Sequence, residues 1–155
     1  MIPGKETESR IEAALLEYPQ PQSALLAVLH LLQAERGYIA DEDIEYAARR
    51  VDVPVAHVAG VVSFYTMFRR KPPGRHHLQM CRTLSCQLRG CREILAHLRT
   101  RLGIAEGEVT PDGRFSLVTV ECLGSCDTAP MMRVNDDYHE GLTIERLDAL
   151  LDSMK

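Results

Sequence analysis

Tryptophan is absent from this chain of 155 residues, and aromatic residues of all kinds make up only 5% of it. Platforms on which bases or sugars stack are therefore not expected. Positive charge is also in deficit. Eighteen Lys and Arg stand against 22 Asp and Glu, a formal net charge of −4, where phosphate backbones call for a basic footprint. No apolar run approaches the ~20 residues of a membrane-spanning helix; the longest, Ala24 to Ala34, is interrupted by His30. The opening residues, Met1-Ile2-Pro3-Gly4-Lys5-Glu6, lack the apolar segment of a secretory leader. The expectation is a soluble, cytoplasmic protein, with no direct membrane insertion and no nucleic-acid partner.

Familiar chemical motifs are missing too. There is no G-x-G-x-x-G and no P-loop, so neither a nucleotide nor a flavin has an evident site on this chain. No Ser–His–Asp or Cys–His arrangement stands out, and no catalytic residue is assigned. C-x-x-C is absent, which argues against dithiol–disulfide chemistry of the thioredoxin kind.

What is present is cysteine, and all 5 lie in one stretch. Cys81 and Cys86 form a C-x4-C pair, Cys122 and Cys126 a C-x3-C pair, and Cys91 stands between them. In a reducing compartment such pairs suggest metal or redox chemistry rather than a disulfide framework. One pair grips a metal weakly, whereas two pairs on separate loops close a coordination shell.

The first seventy residues read as a small helical bundle. Thr7 or Ser9 is the expected cap of a helix over 8–18, with Ile11, Ala14, Leu15 and Tyr18 on one face. Pro19 and Pro21 end it. A second helix is expected over 22–35, stopped at Gly37, and a third over 42–51, capped by Asp41, with acids in its first turn and Arg49 and Arg50 in its last. Pro54 opens a fourth. The state of the aromatic run 64–68 is open, and Phe64, Tyr65 and Phe68 are expected between two domains. A helix-turn-helix DNA reader is the sharper alternative, weakened by the acids Asp41, Glu42, Asp43 and Glu45 on the third helix. His57 reads as a packed or solvated histidine. Arg69-Arg70-Lys71-Pro72-Pro73-Gly74-Arg75 reads as a solvated linker. The expected division is a helical domain over 1–70, a linker over 71–75 and a second domain over 76–155.

That second domain is predicted as strand 76–81, loop 82–90, helix 91–102, strand 115–121, strand 131–134, a turn at 135–137, a short return strand 138–140 and helix 144–154, capped by Thr143. The class is α/β, with a sheet covered by two helices. Cys91, Ile94, Leu95, Leu98 and Leu102 form one helical stripe, so Cys91 reads as core. The remaining pairs sit at two strand ends, which side by side would gather four thiols. Structural zinc, a 2Fe–2S cluster and merely buried or redox-sensing thiols all remain open at this point. Gly124 and Ser125 tilt the choice toward iron, because their backbone N–H groups are free to reach sulfur. Arg82, Arg89 and Arg92 are candidates to offset cluster charge.

The segments H-V-A-G-V-V-S-F-Y-T-M-F (57–68), C-R-T-L-S-C-Q-L-R-G (81–90) and E-C-L-G-S-C-D-T-A-P-M-M-R-V-N-D-D-Y (121–138) resemble the E-subunit family of bacterial NADH:quinone oxidoreductase, complex I. The resemblance runs over 8–151. It implies a helical N-terminal domain and a thioredoxin-like ferredoxin domain with one 2Fe–2S cluster on Cys81, Cys86, Cys122 and Cys126, and it leaves Cys91 out of the ligand set. It further implies a non-catalytic electron-transfer subunit within a hetero-oligomer. The partner subunit would carry FMN, NADH and a 4Fe–4S cluster, and the present cluster would exchange electrons with that flavin, off the main route to quinone. Membrane association would be peripheral, at the cytoplasmic face. Similar chains serve as diaphorase subunits of NAD-linked hydrogenases and formate dehydrogenases. A zinc-stabilised binding module is the rival from another class.

Overall fold

The computed structural model describes residues 3–154, and its chain divides into two compact units, Met1–Pro72 and Pro73–Lys155. The first unit is helical. α1 (Lys5–Leu16) is followed by a single 3₁₀ turn (Pro21–Ala24), α2 (Leu25–Arg36), α3 (Asp41–Arg50) and α4 (Val55–Phe64). α1 begins before the predicted start, and neither Thr7 nor Ser9 caps it. Gly4 is the cap residue, and its N–H donates to Glu35 Oε1 at 3.0 Å. A carboxylate from α2 thus satisfies the backbone N–H of the cap residue itself. Tyr18 falls outside α1 and is exposed.

α3 starts at Asp41, and the capping carboxylate is Asp43, which accepts from Ala40 N at 2.8 Å; Asp41 instead pairs with Arg70. The exposed side of α3 carries Asp41, Glu42 and Glu45 while Ile44, Tyr46 and Ala47 are buried. That is the wrong charge for a helix that reads DNA. His57 is exposed on α4. Phe64 ends α4 and is exposed, whereas Phe68 lies in this unit's own core against His30 and Tyr65. The expectation that all three rings pack between domains therefore fails for Phe68. The amide of buried Gln33 is used at both ends, donating to Met67 O at 2.9 Å and accepting from Arg69 N at 2.7 Å.

The second unit contains a four-stranded mixed sheet in the order β2-β1-β3-β4. β1 (His76–Cys81) is central; it pairs in parallel with β2 (Phe115–Val120) and antiparallel with β3 (Met132–Val134), which pairs antiparallel with β4 (Asp137–His139). β1 is buried on both faces, with Leu78 and Met80 on one and His77 and Cys81 on the other. Leu78, Met80, Leu117 and Met132 are wholly buried, each contributing about 1.5–3 kcal/mol of apolar transfer. Gly74 leads into β1 where no side chain fits: a Cβ there would lie 2.4 Å from the Phe115 backbone carbon. Its N–H donates to Ser116 Oγ at 3.0 Å, which also bonds His77 Nδ1 at 2.8 Å.

The connection between the parallel strands carries α5 (Leu84–Leu88) and α6 (Cys91–Leu102). α5 falls where the sequence predicts loop. Five residues are too few to show a helical period. On α6 the predicted stripe holds, with Cys91, Ile94 and Leu98 buried and Leu95 and Leu102 packed against the core. α7 (Ile144–Ser153) is capped as expected, Thr143 Oγ1 accepting from Arg146 N at 3.2 Å. The strand expected over 131–134 begins at Met132.

Candidate metal centre

Cys81 is the last residue of β1 and lies opposite Val120, the last residue of β2. In a parallel pair the chain leaves both strands at the same end of the sheet, so the segments carrying the two cysteine pairs emerge side by side. The structure sets the two pairs at that same end of the sheet, Cys81 and Cys86 on one strand's exit and Cys122 and Cys126 on the other's. α5 turns Cys86 inward, burying it beside Cys81, and leaves Leu84 and Leu88 exposed. Cys122 and Cys126 follow β2 in an irregular loop and are exposed.

The Cys122 and Cys126 sulfurs lie 3.4 Å apart, within hydrogen-bonding reach of each other, and Cys86 is buried close enough to Cys81 for the two thiols to influence each other's ionisation. Metal–sulfur bonds of about 2.3 Å space two thiolates on one tetrahedral ion by roughly 3.8 Å. The loop pair therefore closes on one metal with sulfur shifts of a few tenths of an ångström. Among the described residues, no group of three or more His, Cys, Asp and Glu side chains gathers as one ion would need.

Donors surround the sulfurs. Thr83 Oγ1 lies 3.3 Å from Cys81 Sγ, and its hydroxyl also reaches Cys122; Ser85 reaches Cys126. Backbone N–H groups add to these: Leu123 toward Cys81, Met131 toward Cys86, and Gly124 toward Cys122 Sγ at 3.4 Å. Gly124 has φ +92, a conformation that L side chains rarely adopt. That turn is what aims its N–H back at the sulfur.

Each pair is electrostatically asymmetric. Burial opposes ionisation of Cys81, but the hydrogen bonds from Thr83 and its other neighbours outweigh it and hold the pKa below the ordinary thiol value. Cys122 is lowered chiefly by the Gly124 N–H. Their partners move the other way: burial pushes Cys86 up to about 11, and Cys126 is raised by its hydrogen bond to Cys122. Within each pair the two thiols are shifted in opposite directions, and a metal held there would require both to be deprotonated.

Cys91 stands apart. It is buried on α6, where burial raises its pKa, and it borders a cavity of about 190 Å³ with Cys81, Arg82 and Arg92. The arginines are less available than their sequence positions suggest. Arg82 donates twice to Glu121 Oε1, at 3.0 and 2.7 Å, and Arg92 donates to Gln87 Oε1 at 3.2 Å.

The residues that hold the exposed loop were not legible in the sequence. Tyr138 Oη donates to Leu123 O at 2.9 Å, Thr128 Oγ1 donates to Ser125 O at 3.3 Å, and the nearby Ser125 and Thr128 hydroxyls hold the Glu140 carboxyl below its ordinary pKa. Gly141 N donates to Thr128 O at 2.7 Å, and Leu142 N to Pro130 O at 2.9 Å. Tyr138, Glu140, Gly141 and Leu142 all come from β4 and the residues just after it. Thr83 and Ser85, which serve the sulfurs, carried a weak signal: two hydroxyls inside or beside a C-x4-C spacing.

Comparison with known proteins agrees with this geometry. The profile of the thioredoxin-like 2Fe–2S ferredoxin family matches residues 11–155. An NADH-quinone oxidoreductase subunit of Rhizobium meliloti is 48% identical over 145 residues, covering 94% of this chain and 86% of that protein. NADH-quinone oxidoreductase subunit 2 of Thermus thermophilus is 46% identical over 148 residues, covering 94% and 82%. Among solved structures, the NAD+-reducing NiFe-hydrogenase in the air-oxidized state aligns with a TM-score of 0.72 at 28% identity. That alignment covers 84% of this chain and 22% of the hydrogenase chain. With four thiols at the ends of two parallel strands, the chain belongs to the thioredoxin-like 2Fe–2S ferredoxin family.

Proposed function

We propose that this chain is the electron-transfer subunit of an NADH-oxidising complex of the NADH:quinone oxidoreductase type. Its one 2Fe–2S cluster is held by Cys81, Cys86, Cys122 and Cys126. The observation that carries the ligand assignment is the placement of two cysteine pairs at the same end of two adjacent parallel strands, with Cys86 buried beside Cys81 and the Cys122 and Cys126 sulfurs 3.4 Å apart. Such a cluster, when bound, takes up and releases one electron at a time. The residues of this chain fix the four sulfurs, direct N–H and hydroxyl donors at them, and leave the Cys122/Cys126 side accessible to a partner.

The electron partner in this reading is a flavin-bearing, NADH-binding subunit of the same hetero-oligomer. FMN and NADH lie on that partner. Among the described residues no helix is long and apolar enough to cross a membrane, and the proposed location is peripheral, at the cytoplasmic face, through partners. A second reading, a diaphorase subunit of an NAD-linked hydrogenase, is favoured by the likeness to the NAD+-reducing hydrogenase.

Protein purified without air is expected to be reddish-brown, to hold about two irons and two sulfides per chain, and to give an EPR signal after reduction. A colourless protein with one zinc would overturn the reading. Affinity purification from the native cell separates the two complexes: membrane-arm subunits should accompany a respiratory enzyme, and nickel-containing subunits a hydrogenase.

A further inference from the structure

We infer that Tyr138 sets the reduction potential of the centre by locking one peptide plane, the amide joining Leu123 to Gly124. The inference rests on Cys122 being a cluster ligand, as proposed above. The Leu123 carbonyl and the Gly124 N–H are the two ends of that single planar unit. Its oxygen accepts from Tyr138 Oη at 2.9 Å, and its N–H donates to Cys122 Sγ at 3.4 Å. One hydroxyl on a neighbouring strand therefore fixes the direction of a donor aimed at sulfur.

The Leu123 side chain packs partly against the core, but on the Gly124 side the plane is loosely held. The loop has no regular structure, Cys122 is exposed, and Gly124 has open space where a Cβ would sit. A glycine flanking a peptide bond lets the plane swing at low cost. Tyr138 itself sits on the short edge strand β4, opposite Arg133 on β3, and is half exposed. Its ring therefore contributes little to the core, and the hydroxyl reaches 15 residues back along the chain to the loop. Hydrogen bonding at the carbonyl also polarises the amide and strengthens its N–H as a donor.

The sign follows from charge. Reduction adds negative charge to the cluster and its thiolates, and a donor aimed at sulfur stabilises the reduced form. Freeing the plane removes that stabilisation, so the potential becomes more negative. Tyr138 is a positioning residue; it touches the loop and not the sulfur.

The test uses the purified holoprotein and an EPR-monitored titration with dithionite. Tyr138→Phe, which deletes one oxygen, should hold its full iron content. At a fixed poise its reduced-to-oxidised ratio should fall at least threefold, or about 28 mV for one electron at 59 mV per decade. Deuterium-exchange electron–nuclear double resonance should show the strongest exchangeable coupling near the cluster weakened in the same variant. A mono-fluorinated tyrosine incorporated at position 138, a stronger donor, should shift the potential the opposite way. It decides the matter if Tyr138→Phe does not retain iron. An unchanged potential and coupling in Tyr138→Phe, or a fluorinated protein that does not move upward, overturns the inference. Cys122→Ala, measured alongside, separates the two claims. If it keeps its cluster, the ligand assignment has failed; if it loses the cluster while the tyrosine variants stay silent, only the role of Tyr138 has.

Discussion

The two cysteine pairs are held in opposite ways. Cys81 and Cys86 sit in regular structure and are almost fully buried, at 1% and 2% exposure. Their positions are consequences of the core: β1 pairs on both sides, and α5 packs Cys86 inward. Cys122 and Cys126 are exposed on an irregular loop. They are placed by hydrogen bonds reaching over from β4 and the residues after it. Packing is stiff and all-or-none, whereas a hydrogen-bonded loop can be loosened one contact at a time. The first pair is thus bound to the stability of its unit, and the second is free to be adjusted.

This contrast can be broken at four places. The largest effect should come from Met80→Ala, beneath the first pair. Removing a wholly buried side chain of that size costs about 2–5 kcal/mol. Thermal melting followed by circular dichroism should show the ferredoxin unit strongly destabilised and the cluster lost with it. Cys122→Ala should lose most of its iron yet leave the apoprotein's melting temperature unchanged. An apoprotein that melts much lower would show the second pair to be part of the core after all. Glu140→Gln removes the charge beside the Ser125 and Thr128 hydroxyls. It should keep the cluster but release iron to a chelator several-fold faster, read as decay of visible absorbance. Release at the wild-type rate would mean that backbone bonds alone hold the loop. The smallest effect should be that of Cys91→Ala on the cluster: full iron content and an unaltered visible spectrum. Loss of that spectrum with the fold intact would move Cys91 into the ligand set.

The same contrast explains what the sequence made legible. β1, α6 and α7 were readable because their apolar residues repeat with the period of the element and their caps are local, as Thr143 shows. The ligand cysteines were readable as two spaced pairs, and the placement of Cys91 followed from its helical stripe. The chain's family resemblance then supplied the choice of iron over zinc, which spacing left open. What could not be read was whatever depends on a partner far away in the chain. At the start of α1 the Gly4 N–H is taken by Glu35, 31 residues on, and no local pattern announces that. α5 is shorter than two turns. Tyr138 and Glu140 act across a gap of about fifteen residues through side-chain geometry, and nothing about a tyrosine followed by a glutamate two positions on marks a brace. Arg82 reads as a counter-charge in the sequence, but its neighbour across the strand pair, Glu121, engages it.

The distance in sequence between the pairs has a further consequence. Cys86 and Cys122 are separated by 36 positions (122 − 86), a span that includes α6 and β2. Any inorganic centre bonded to both is a covalent staple across that span. By the chain-entropy relation used for disulfides, closing such a loop is worth on the order of 4 kcal/mol. The centre that carries electrons would then also serve as a clamp on its own housing. Oxidative loss of iron would cost the cell more than a redox step, because it would leave a looser protein for proteases to find.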